Sequence, residues 1–112
     1  MQPEFHIHGR EADDWTVVEI QGEVDVYTVP RVREYVADRI EAGRRHLIVD
    51  LTGATFMDST GLGLLVGIQK RIRARVGDLR LVITNPDIRR IFHITGLHQV
   101  FLIYDSPEAA MS

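Results

Sequence analysis

Three consecutive side chains, Asp58, Ser59 and Thr60, bring a carboxylate and two hydroxyls together, and Gly61 and Gly63 follow them closely. To their left, His46–Leu51 is a short run rich in branched apolar residues, the pattern of a strand covered on both faces. To their right, Leu64, Leu65, Ile68 and Ile72 recur at helical spacing and lead into a basic tail. The polar residues therefore fall at the N-terminus of a helix. Any of them can cap it by accepting a hydrogen bond from an otherwise unpaired backbone N–H. Such a terminus carries about +0.5 of an elementary charge and favours an anion. A hydroxyl placed there can cap the helix or carry a phosphate at little cost to the fold.

The glycines sharpen the question. Gly61, Gly63 and Gly67 lie where helix is expected, and each costs about 1 kcal/mol relative to Ala in a helix interior. Either a closely packed neighbour or a bare surface left for a partner must account for them.

Other chemistries fit less well. A hydrolase would place its serine in a Gly-x-Ser-x-Gly elbow with a histidine base. Ser59 has the trailing Gly61, but Met57 occupies the leading position. No sequence context marks any of the five histidines as a base. His93 beside a buried stripe and His98 after it read as structural. A phosphate-binding Gly-x-x-x-x-Gly-Lys-Ser/Thr run is absent. His6 and His8 share a strand face with no third ligand near them in sequence, so a solvent-facing pair is expected rather than a metal site. The chain is therefore expected to be no enzyme and to need no cofactor.

At 112 residues the chain, 1–112, reads as one domain with a single core. Its net charge is −3 and its basic residues are scattered, which argues against direct contact with nucleic acid. No apolar run approaches the roughly 20 residues needed to cross a bilayer, and the N-terminus lacks the order of a signal peptide. Without cysteine there is neither disulfide nor thiolate chemistry. A cytoplasmic protein with no membrane partner is expected.

The elements that must position Ser59 can be read in chain order. Glu4–His8 alternates as an edge strand, Gly9–Asp14 reads as a polar turn, and Trp15–Gln21 resumes strand character, giving an antiparallel hairpin. Gly22–Tyr27 reads as a loop, followed by a helix from Thr28 or Val29 with Pro30 in its first turn and Gly43 as its stop. Val29, Val32, Val36 and Ile40 form its buried stripe. After the strand at His46–Leu51, Phe56–Ser59 reads as the loop leading into the glycine-rich helix. That helix ends in Lys70, Arg71, Arg73 and Arg75, which suit the negative end of its dipole. A strand at Leu79–Thr84, a short helix carrying Ile88, Ile91 and Phe92 and closed by Gly96, and a strand at Val100–Tyr104 follow. A last helix opens at Ser106 and is expected to add little packing.

This order predicts an α/β fold: a mostly parallel four- to five-stranded sheet, one antiparallel edge strand, and about four helices mainly on one face. It places the Glu23–Asp25 and Phe56–Ser59 loops side by side at the C-terminal ends of neighbouring strands, where open α/β sheets bind their partners.

The segment Asp58-Ser59-Thr60-Gly61-Leu62-Gly63, after a Val-Asp-Leu strand and Phe56-Met57, resembles the signature of STAS-domain anti-sigma factor antagonists. Gly22-Glu23-Val24-Asp25 and Ile91-Phe92-His93-Ile94-Thr95-Gly96-Leu97 resemble two further landmarks of that family, and the likeness runs from about Glu4 to Ala110. It implies the STAS fold and a partner switch. In such a switch the unphosphorylated antagonist binds an anti-sigma factor that is itself a serine kinase of the histidine-kinase-like ATPase fold, and a sigma factor is released. The kinase phosphorylates the hydroxyl after the motif aspartate, here Ser59, and a PP2C-type phosphatase resets it. Glu23, Asp25, Asp58, Thr60, Gly61 and Leu62 are then the expected partner-binding positions. Thr60 stands where many relatives carry a second serine, and it is read as a first-turn residue. Asp58 either orients the serine hydroxyl or caps the helix. Removing the Asp25 carboxylate is expected to weaken partner engagement with thermal stability nearly unchanged. The alternative keeps the fold as a scaffold subunit of a stress-sensing or lipid-transport complex.

Overall fold

The computed structural model describes residues 4–112. Its sheet has five strands in the order β1-β2-β3-β4-β5: β1 His6–Ala12, β2 Trp15–Val24, β3 His46–Met57, β4 Asp78–Val82 and β5 Leu102–Tyr104. β1 pairs antiparallel with β2, and every other neighbouring pair is parallel. The helices are α1 Val29–Glu41, α2 Ser59–Arg73, α3 Pro86–Ile94 and α4 Pro107–Ala110, with a 3-10 turn at Leu97–Gln99. The expected architecture is borne out, and the strands lie in sequential order.

One face of the sheet carries the main core. Val18 and Ile20 of β2, Leu47, Val49 and Leu51 of β3, and Leu79 and Leu81 of β4 pack against Val32, Val36 and Ile40 of α1, Leu65, Ile68 and Ile72 of α2, and Ile88 and Phe92 of α3. The period of two on the strands meets the period near 3.6 on the helices, as amphipathic patterning requires. Part of the opposite face is covered by α4. Ala110, fully buried, sits on Val17, Ile48 and Val82. Arg80 fastens this helix: its guanidinium lies between the rings of Trp15 and Tyr104 and donates to the Ala110 carbonyl at 2.5 Å. A cation at a helix C-terminus is favourable, and here it gives a four-residue helix a defined seat that its length did not promise.

Three expected loops are strand. β1 continues through Gly9–Ala12, and the turn shrinks to Asp13–Asp14, with Asp13 in the left-handed region at φ 56°. Gly9 lies within the strand against the Tyr35 hydroxyl of α1, which a Cβ at that position would displace. β2 runs on through Gly22, Glu23 and Val24, since Gly22 at φ 107° absorbs a register shift that would otherwise end the pairing. β3 likewise runs past Leu51 to Met57, where Gly53 leaves room for the Gln21 side chain. His6 and His8 are exposed on edge strand β1. Among the described residues no group of three or more His, Asp or Glu is placed to hold a metal.

Candidate functional site

The C-terminal ends of β2 and β3 run side by side, with Glu23 opposite Phe56 and Val24 opposite Met57. The two segments expected to adjoin therefore do, and they are hydrogen-bonded strands until their last residue. Only Asp58 separates β3 from α2. Its backbone is extended (φ −110°, ψ −170°), the conformation of an N-cap, and its Oδ1 accepts from the N–H of Thr60 at 2.9 Å and of Gly61 at 3.4 Å.

The cap is thus taken by the carboxylate, which leaves the Ser59 hydroxyl without a structural task. Ser59 is the first residue of a 15-residue helix, exposed, and its side chain makes no hydrogen bond to any described residue. Thr60 is partly covered. Gly61 is buried: a Cβ there would come within 2.7 Å of Met57 Cγ and 3.0 Å of Val24 Cγ1, so its absence lets α2 sit against both strand ends. Leu62 is buried in the main core. Gly61 and Leu62 are accordingly buried beneath the exposed surface around Ser59.

The loop after β2 is held by its own acid. Asp25 Oδ1 accepts from the N–H of Tyr27 at 2.9 Å and of Thr28 at 3.1 Å. The Thr28 hydroxyl, buried, donates to the Glu23 carbonyl at 2.7 Å. Asp25 thus works mainly inside the loop, while Glu23 is exposed and has no side-chain partner among the described residues. The loop presents Val26 at 59% and Tyr27 at 73% exposure, and Phe56 at the end of β3 is 47% exposed. Sequence reading passed over these three side chains. The signal available was three apolar residues amid acids in segments assigned to loops, where burial has no claim on them.

Ser59 therefore stands in an exposed setting that combines free hydroxyl, acids and apolar surface. The α2 dipole favours added negative charge there, while the Asp58 carboxylate already holds the Thr60 and Gly61 N–H groups. Among the described residues no histidine hydrogen-bonds the Ser59 side chain. His93 and His98 stack on each other with ring centroids 4.1 Å apart, and His98 Nδ1 faces the Phe92 carbonyl. No helix among the described residues is long and apolar enough to cross a membrane.

Comparison with known proteins agrees with this geometry. The anti-sigma-B factor antagonist of Staphylococcus aureus is 36% identical over 96 residues, which cover 86% of this chain and 89% of that protein. The crystal structure of an anti-sigma factor antagonist from Mycobacterium paratuberculosis superposes with a TM-score of 0.88 at 26% identity, covering 96% of this chain and 92% of that one. The Bacillus cell fate determinant SpoIIAA in its phosphorylated form superposes with a TM-score of 0.73 at 26% identity, covering 96% of each chain. The STAS domain model matches residues 6–110. With that match spanning nearly all of a sheet and helices already of this arrangement, the chain belongs to the STAS domain family.

Proposed function

We propose that this protein is an anti-sigma factor antagonist whose unphosphorylated form binds an anti-sigma factor serine kinase and releases a sigma factor, and which phosphorylation of Ser59 switches off. A PP2C-type phosphatase restores the binding form. The exposed Ser59 hydroxyl, freed from capping by Asp58, carries this reading. The naming of the Staphylococcus aureus relative and the existence of a phosphorylated form of SpoIIAA support it.

The energetics suit a switch without refolding. A phosphoserine adds about −1.5 to −2 charges at neutral pH. The α2 terminus accepts that charge, whereas a docked partner must desolvate it or face it with its own acids. One like-charge contact at ~4 Å is worth about 4 kcal/mol at an effective dielectric near 20. Moving a complex from mostly bound to mostly free takes about 5.5 kcal/mol, within reach of charge, desolvation and bulk together. In this account Glu23, Val26, Tyr27 and Phe56 meet the partner, Asp25 and Asp58 hold the surface in shape, and Thr60 supports the first turn.

The test is incubation of the purified protein with ATP and the serine kinases captured by its unphosphorylated form, followed by mass spectrometry. Stoichiometric phosphate on Ser59 with loss of the complex is expected. Phosphate on Thr60 alone would overturn the assignment. Stable complexes with no phosphorylation would favour the scaffold role, and turnover of ATP by this protein alone would point to an enzyme.

A further inference from the structure

A groove of about 260 Å3 runs between α1 and α2. Val36, Ile40, Leu64 and Ile68 line it, and Arg33 and Arg71 stand at its rim. It is open where α2 has no side chains: a Cβ on Gly63 or Gly67 would meet nothing within 4 Å. These glycines thus answer to no packing inside the domain, unlike Gly61, although each costs about 1 kcal/mol in a helix. Ser59, Gly63 and Gly67 recur every four residues and are all exposed, so they lie along one line of α2. The groove therefore begins one helical turn from the Ser59 hydroxyl and continues its surface.

The rim has a charge that the chain as a whole lacks. Arg33 has no ion-pair partner among the described residues, and Arg71 and Arg75 share the one carboxylate of Glu41, at 3.3 and 3.2 Å. An excess of cations thus borders an apolar trough on a protein of net charge −3. Its complement is an apolar side chain flanked by acids.

We infer that the α1–α2 groove is a second part of the docking surface for the serine kinase that acts on Ser59, and that it receives an apolar side chain of that kinase set between acidic residues. This rests on the function proposed above. The test compares Gly67→Leu, which fills the trough, and Arg33→Glu, which reverses its rim, with the parent protein. The kinase captured by the parent is the probe, read by KM for Ser59 phosphorylation and by Kd without ATP. Each variant should keep the parental melting temperature or exceed it, and raise both KM and Kd by about tenfold or more. Added salt should narrow the Arg33→Glu defect and leave that of Gly67→Leu. Val76→Gly, on the α2–β4 connection, serves as the control with parental KM. If the parent is phosphorylated on Ser59 and both variants match its KM and Kd, the groove inference fails and the proposed function stands. If the parent captures no kinase, both fall. Arg33 is exposed, so Arg33→Glu decides the matter alone should Gly67→Leu lose its fold. Concentration-dependent self-association abolished by Gly67→Leu would assign the groove to a second copy and overturn the inference.

Discussion

The backbone N–H of Asp58 reaches the carbonyl of Val24 at 3.4 Å, so the residue that caps α2 is tied to the last residue of the neighbouring strand β2. The segment bearing the Ser59 hydroxyl and the acid-bearing loop are thereby joined through main chain, and substitutions on either side act on separate features.

Ser59→Ala should retain capture of the kinase and lose all kinase-dependent phosphate, because Ser59 caps nothing. Ser59→Glu should weaken the complex by between about tenfold and a thousandfold, since a single carboxylate supplies less than the full phosphate charge. Calorimetric titration of the three forms measures the binding, and mass spectrometry the phosphate.

Asp58→Ala should destabilise the domain by about 1 kcal/mol, the usual cost of removing an N-cap carboxylate. Asp58→Asn keeps an acceptor oxygen and should recover most of that loss. Chemical denaturation separates the two, and equal losses would mean that the carboxylate's charge, not its capping bond, carries the effect.

Asp25→Ala is where the structure revises the expectation drawn from sequence. The carboxylate holds the Tyr27 and Thr28 amides, so its loss should lower stability by about 1 kcal/mol as well as disturb Val26 and Tyr27. A melting curve identical to the parent's would restore the view of Asp25 as a pure contact residue.

Val76→Gly should stabilise the domain by about 1 kcal/mol, or raise its melting temperature by roughly 4 °C. The α2 terminus closes with the Val76 N–H on the Arg73 carbonyl at 2.9 Å and the Gly77 N–H on that of Ile72 at 2.8 Å, which puts Val76 in the left-handed position at φ 58°. α1 ends in the same way with Gly43 in that position at φ 93°. Val76 is 85% exposed and has little packing to offset the strain. The glycine stands one residue later because a Cβ on Gly77 would strike the Arg45 carbonyl.

Much of this molecule is legible in its residues because periodicity and capping agree. The stripes of α1 and α2, the Pro and Gly punctuation of α1, and the strand order all follow from local pattern. What misled was glycine and polar residues inside strands. Gly9 and Gly22 open segments that read as turn and loop, yet each lies within a strand and answers to something distant in sequence: the Tyr35 side chain and a register shift against β3. Likewise, local pattern offered three candidate caps for α2, and only the extended backbone at residue 58 selects Asp58.

Because a single residue lies between β3 and α2, the Ser59 hydroxyl is mounted almost directly on the central strand, with no slack segment to reorganise. A mark written there would be legible to a partner as soon as it is made. The tempo of such a relay would then be set by enzyme turnover and by how quickly two molecules meet and part.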